Sequence, residues 1–150
     1  MSDKIIRKIA VIFVTDVVSF SKLMERDEDQ TLQSFRACKS ILDNLFEEHS
    51  GRIFNTAGDS VLAEFPSAVS AVICAAEFQK LVKERNASVE PLAEMHFRVG
   101  LNMGDVIVEG NNLYGDGVNV AARLEALSQP DGVCLSKSIH DFVSQKVDLA

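Results

Sequence analysis

The sequence predicts an α+β domain, an antiparallel-rich sheet carrying helices on one face. Three observations lead there. Lys8 to Thr15 (KIAVIFVT) is a short β-branched apolar run that suits a fully buried central strand. Two pairs of strand-like runs are each joined through Gly-Asp, at Gly58-Asp59 and Gly104-Asp105, a tight-hairpin signal. Between the strands, apolar residues recur at spacings of three and four, the mark of amphipathic helices.

After Asp16 the pattern turns polar and helix-like. Leu32, Phe35, Cys38, Ile41, Leu42, Leu45 and Phe46 then define a helix of roughly twenty residues, which should stop at Ser50-Gly51 with the glycine as C-cap. Arg52 to Ala57 and Val61 to Phe65 form the first hairpin around Gly58-Asp59-Ser60. Pro66-Ser67 opens a second helix, with Val69, Val72, Ile73, Ala76, Phe78 and Val82 mostly on one side; it fades by Asn86. A polar loop with Pro91 follows. Met95 to Met103 and Val106 to Glu109 read as a second strand pair around Gly104-Asp105. A loop over Gly110 to Gly117 leads to a helix from about Val118 to Ser128, a strand over Gly132 to Leu135, and a helix from Ser138 to Val143.

The 150 residues suit one domain spanning 1–150, and no linker, repeat or low-complexity stretch divides them. A hydrophobic content of 47% excludes a disordered chain. The longest apolar run, Ile9 to Val14, is far too short to cross a bilayer, and Met1-Ser2-Asp3-Lys4 has no signal-peptide pattern. No membrane segment and a cytoplasmic location are therefore expected. The net charge of −7 argues against a nucleic-acid partner, which would need a basic face. Cys38, Cys74 and Cys134 are too far apart for a zinc motif and read as buried thiols. His49, His96 and His140 are scattered and receive no role.

Two constellations carry chemistry. Asp16 ends the buried strand and Asp59 sits in the hairpin turn. If strand and hairpin are neighbours, both carboxylates converge on one sheet edge. Two such charges about 4 Å apart repel by roughly 4 kcal/mol at an effective dielectric near 20. A divalent cation relieves that, and Mg²⁺ suits one or two carboxylates completed by phosphate oxygens and water. Alternatively, Asp16 caps the helix after it and Asp59 is an ordinary turn residue. Asn119 and Arg123 lie four apart on one helix face, after a Gly-rich loop that permits close backbone approach to a ligand. A planar guanidinium held there suits a transferring phosphoryl group. The competing reading is a solvated Arg123 paired with Glu125.

Four segments resemble one family. Val14-Thr15-Asp16-Val17-Val18-Ser19-Phe20-Ser21 resembles the F-x-D-[IV]-x-[GS]-[FY]-[ST] opening of class III adenylate and guanylate cyclase catalytic domains. Gly58-Asp59-Ser60, with Leu62 and Phe65, resembles that family's second metal-aspartate hairpin. Phe97-Arg98-Val99-Gly100-Leu101-Asn102-Met103-Gly104 resembles its R-[VI]-G-[LI]-[HN]-x-G strand. Tyr114 to Leu124 resembles its G-x-x-V-N-x-A-[AS]-R helix start. The four occur in order, in register from about residue 8 to residue 143, in the style of bacterial members.

The resemblance implies a ferredoxin-like sandwich similar to a polymerase palm. It implies that a nucleoside triphosphate, ATP first, becomes a 3′,5′-cyclic nucleotide and pyrophosphate by two-metal in-line displacement. Asp16 and Asp59, with the Val17 backbone carbonyl, would hold two Mg²⁺ or Mn²⁺ ions per active site. Asn119 would orient the ribose, and Arg123 would stabilise charge at the α-phosphate. The metal aspartates and the Asn–Arg pair of one site come from different chains in this family, so a head-to-tail homodimer is implied.

Two departures matter. The family's base-selecting positions are here Asn55 and Asn112, and an Asn amide both donates and accepts. Adenylate, guanylate and pyrimidine cyclase all remain as substrate alternatives. Family domains also continue for about another strand pair. The end at Val147-Asp148-Leu149-Ala150 resembles the start of that pair, so a longer parent with further domains is expected. The alternative from another class is a catalytically silent nucleotide-binding or dimerisation module of the same fold.

Overall fold

The computed structural model describes residues 5–147. The signal-peptide reading of 1–4 and the reading of 148–150 as the start of a further segment lie outside the described residues.

The central strand, β1, runs Ile6–Val17, two residues beyond the apolar run at each end. Val11, Phe13 and Val17 face one hydrophobic cluster, while Ala10, Ile12 and Val14 face another. Both sides of the strand are thus covered, which explains why its sequence is unbroken rather than alternating.

A short helix, α1 (Phe20–Arg26), leads to α2 (Glu28–His49), capped by Asp27, whose side chain accepts from Gln30 N at 3.0 Å. The α2 stop needs one correction. The left-handed residue is Ser50, at φ 62°, not Gly51. A Cβ on Gly51 would lie 2.8 Å from the Phe65 ring and 2.9 Å from Phe46, so this glycine makes room for aromatic packing. Those two rings close on Phe13 at centroid distances of 5.2 to 5.7 Å.

Strands β2 (Arg52–Ala57) and β3 (Ser60–Phe65) form the expected hairpin, with Gly58 at φ 59° in the turn. A register shift between Ile53 and Asn55 leaves Phe54 as a bulge. Ser67 caps α3 (Ala68–Ala87), which packs beside α2.

The second predicted hairpin does not exist. Phe97–Glu109 is one continuous strand, β4, and Gly104 and Asp105 pair with Ala10 and Ile9 in its middle. Gly104 marks a close backbone approach instead of a turn: a Cβ on the facing Gly117 would sit 2.7 Å from Asp105 O and 3.0 Å from Gly104 C. The turn lies later, at Gly110 (φ 60°), and leads into β5 (Asn112–Tyr114), a short strand within the loop expected over Gly110 to Gly117.

Helix α4 (Asp116–Leu127) follows, then β6 (Val133–Leu135), parallel to β4, and α5 (Lys137–Val143). The strand order is β2-β3-β1-β4-β5 with β6 beside β4, and every pairing except β4–β6 is antiparallel. The α+β class and the ferredoxin-like sandwich hold, with one correction to the layering. Helices α2, α3 and α5 pack on one face, whereas α4 lies on the other with Val118 and Ala121 against Ala10, Ile12 and Val14. The sheet also curls around that second face. Its edge strands meet where Arg52 Nη1 donates to Asn111 O at 2.7 Å.

Candidate active site

Strands β1 and β3 are direct neighbours, so the end of β1 and the β2–β3 turn share one edge. The Val17 backbone N–H donates to Asp59 Oδ2 at 2.8 Å. That bond draws the Asp59 carboxylate to the residue after Asp16. The turn reading of Asp59 is therefore correct but incomplete. Asp16 does not cap the following helix: the N-cap of α1 is Ser19, which makes no side-chain capping bond.

Asp16 pairs across the sheet with Arg98 on β4. Beneath them Thr15, fully buried, donates its hydroxyl to Arg98 O at 2.7 Å, and Arg98 Nε donates to Ser128 O at 3.0 Å. The fourth member of the cluster is Glu125 on α4, only 6% exposed. Burial pushes its carboxyl up to about 8, and the hydrogen bond and negative charge of Asp16 add to the rise. Burial also raises Asp16; the Glu125 bond and the Arg98 charge oppose the rise, and the Asp59 charge adds to it. Glu125 is therefore the carboxyl of the pair that keeps a proton near neutral pH.

With Glu125 neutral, Asp16 and Asp59 still outnumber the one guanidinium, Arg98, which is the setting a divalent cation fits. The donor set suits Mg²⁺ or Mn²⁺: hard oxygen ligands from two carboxylates and the strand-end backbone.

Two glycines set the place of α4. A Cβ on Gly100 would meet Glu125 N at 2.3 Å and Ala121 O at 2.5 Å, so the helix lies directly on β4 there. The Gly104–Gly117 approach seats its other end. Glu125 then faces Asp16, while Asn119 and Arg123 are both exposed. Arg123 precedes Glu125 by two residues, about 200° around the helix, and so points away from the Asp16 side. Glu125 is not its partner, and among the described residues no carboxylate lies within 4.0 Å of Arg123. The structure thus brings Asp16, Val17 and Asp59 together and keeps Asn119 and Arg123 on a separate surface of the same chain.

The remaining two candidates flank the seam where β2 meets β5. Asn55 is exposed on β2, three residues after Arg52, and Asn112 directly follows Asn111. The Asn112 amide is engaged within its own strand: Oδ1 accepts from Leu113 N at 2.8 Å, and Nδ2 donates to the Tyr114 hydroxyl at 3.1 Å. Two surface clefts, of about 430 and 870 Å³, are lined by other residues and include none of these seven.

Glu125 and Arg98 carry no role in the sequence reading. A signal for Glu125 was present: Val118, Ala121 and Glu125 fall on one helical stripe, and a carboxylate on an apolar stripe is seldom idle.

The sequence profile described as "Adenylate and Guanylate cyclase catalytic domain" matches residues 1–149. A Rhizobium meliloti (strain 1021) protein named "Putative adenylate cyclase 3" is 45% identical over 148 residues, covering 98% of this chain and 25% of that protein. An "Adenylate cyclase" of Streptomyces coelicolor is 33% identical over 128 residues, covering 85% of this chain and 32% of its own length. The chain therefore spans about a quarter to a third of these relatives. The crystal structure of an adenylate/guanylate cyclase/hydrolase from Silicibacter pomeroyi superposes with a TM-score of 0.90 at 33% identity, covering 98% of this chain and 86% of that one.

Proposed function

The chain belongs to the adenylate and guanylate cyclase catalytic domain family, and from that premise we propose that it cyclises ATP to the 3′,5′-cyclic monophosphate with release of pyrophosphate. The observation that carries this reading is the Val17–Asp59 bond, which holds the second aspartate beside Asp16 at the end of β1. Asp16, Asp59 and the Val17 carbonyl would hold two Mg²⁺ or Mn²⁺ ions. Bound there, the ions would supply positive charge to the 3′-oxygen and to the leaving pyrophosphate.

The chain's own residues do the rest. Asn119 orients the ribose through an amide that both donates and accepts. Arg123 places its guanidinium fork against the α-phosphate, where negative charge grows during in-line displacement. Both leave α4 on the side away from their own Asp16, so they serve the Asp16 and Asp59 of a second copy. The working unit is a head-to-tail homodimer with two shared sites. The open edge around Asp16 and the free Arg123 surface support that reading, since each half lacks what the other presents. Regions beyond this chain in a longer protein, as in the relatives, would set when two copies meet.

ATP is the preferred substrate on the names of the bacterial relatives. The decisive test incubates the protein with ATP, GTP, CTP or UTP and either Mn²⁺ or Mg²⁺. Cyclic AMP as the main product supports the proposal in full. A different cyclic nucleotide overturns the base assignment alone, and no product in all eight mixtures overturns the activity.

A further inference from the structure

We propose that Glu48, His49 and Glu77 form a second cation site, for a zinc-class divalent ion, that staples the end of α2 to α3. It lies at the opposite end of the sheet from Asp16, because α2 leads into Arg52, the end of the β2–β3 hairpin remote from Asp59.

The His49–Glu77 contact is a long hydrogen bond whose spacing also fits two ligands of one ion, and the exposed Glu48 lies close enough to join them. His49 Nε2 is 3.4 Å from Glu77 Oε2 and 4.0 Å from Glu48 Oε2, and one ligand atom from each residue falls within 4.8 Å of the other two. A good N–H···O bond is shorter, about 2.7–3.2 Å. Ligands bonded to a tetrahedral zinc at about 2.0–2.2 Å stand roughly 3.3–3.6 Å from one another, a spacing His49 and Glu77 already have and the exposed Glu48 would reach by turning its side chain. One ring N–H serves a single carboxylate well; one cation between them serves all three groups.

Charge points the same way. Among the described residues, the only basic side chain within 4.0 Å of either glutamate is His49 itself. Cys74, one turn before Glu77 and fully buried, has its thiol pushed up to about 12 by burial, with the Glu77 and Glu48 charges adding. His49 is also the last residue of α2, where the unpaired helix carbonyls favour positive charge. One imidazole with two carboxylates selects zinc or cobalt over magnesium, which prefers an all-oxygen set. Glu48 is 69% exposed and His49 19%, so the site opens to solvent on one side and water can complete the tetrahedron.

The test separates this site from the catalytic carboxylates. Zinc chloride is titrated calorimetrically into D16N/D59N, and into the same variant carrying E77Q or H49Q. One zinc per chain is expected in the parent variant, with affinity falling at least tenfold in each further variant. Saturating zinc should raise the Tm of D16N/D59N by roughly 5 °C and leave the E77Q and H49Q versions unmoved. Circular dichroism without zinc distinguishes lost folding from lost ligation. If D16N/D59N does not fold, the unaltered protein must show two classes of zinc site, one of which E77Q removes. No zinc bound outside the catalytic carboxylates, or zinc bound as tightly in the E77Q and H49Q versions as in D16N/D59N, overturns the proposal.

Discussion

The backbone N–H of Val17 and the carboxylate of Asp59 are joined by a 2.8 Å hydrogen bond across 42 residues of sequence. The bond gives Asp59 a part in the hairpin's docking, beside the metal-holding role proposed for it. Replacing it with Ala leaves the Val17 N–H without its acceptor and should cost about 1–2 kcal/mol. D59A should therefore lose product formation and also unfold at lower urea. An activity loss with unchanged urea midpoint would remove the structural job.

Arg123 and Glu125 leave α4 on opposite sides, so under the proposed shared site D16A and R123A break different halves. Each variant should be inactive alone. Mixed in equal amounts they should regain up to roughly a quarter of wild-type activity, from random pairing into heterodimers with one intact site. Full activity in either variant alone contradicts the assigned roles, and an inactive mixture contradicts the shared site.

Gly100 and Gly58 predict different costs for the same substitution. A Cβ on Gly100 has 2.3 Å to Glu125 N, so G100A must lift α4 off the sheet, at about 3 kcal/mol or more. A Cβ on Gly58 meets nothing within 4 Å, and G58A bears only the strain of φ 59°, about 1–2 kcal/mol. Urea denaturation of the two should rank G100A well below G58A.

Glu64 gives a pH signature. Burial raises its carboxyl, but the Lys8 contact at 2.7 Å and the Arg52 contact at 2.9 Å outweigh burial and leave it below the ordinary value of 4.5. A pKa depressed by folding stabilises above the unfolded value and is lost as pH falls through the folded one. E64Q should thus be less stable than wild type by about 1 kcal/mol at pH 7, with the gap closing below pH 4. A gap that persists at pH 3 would assign the effect to packing.

Thiol chemistry checks the core. Cys38 and Cys74 are fully buried and burial raises both thiols, whereas Cys134 on β6 is partly exposed. An aromatic disulfide reagent at pH 8 should titrate one thiol quickly in the native protein and three after unfolding. Three fast thiols in the native state would refute the packing of α2 and α3.

Most of the frame was legible because its signals are local. The run from Lys8 to Thr15, the Gly58 turn and the spacing from Leu32 to Phe46 each declare an element within a short window. Two misreadings share one cause: glycine looks like conformational freedom where it supplies space. Gly104 looks like a turn because nothing nearby in sequence reveals Gly117 pressing against the strand. Gly51 looks like a cap because the Phe46 and Phe65 rings over it come from either side in sequence. The site divides in the same way. Asp16 and Asp59 could be paired from the strand and hairpin signals, and Asn119 with Arg123 from helical spacing. Glu125 takes its meaning from burial against Asp16, and His49 from Glu77, 28 residues away on another helix. Contacts between elements are not periodic, so periodicity cannot find them.

The seating of α4 has a consequence for control. One side of this helix is committed to the chain's own carboxylates and the other is offered outward. Under the proposed head-to-tail pairing, output would follow how two copies meet: dilution would silence the domain, tethering two copies would wake it, and a twist between them would detune it. Such a domain would report the distance and angle between its neighbours, in units of product per second.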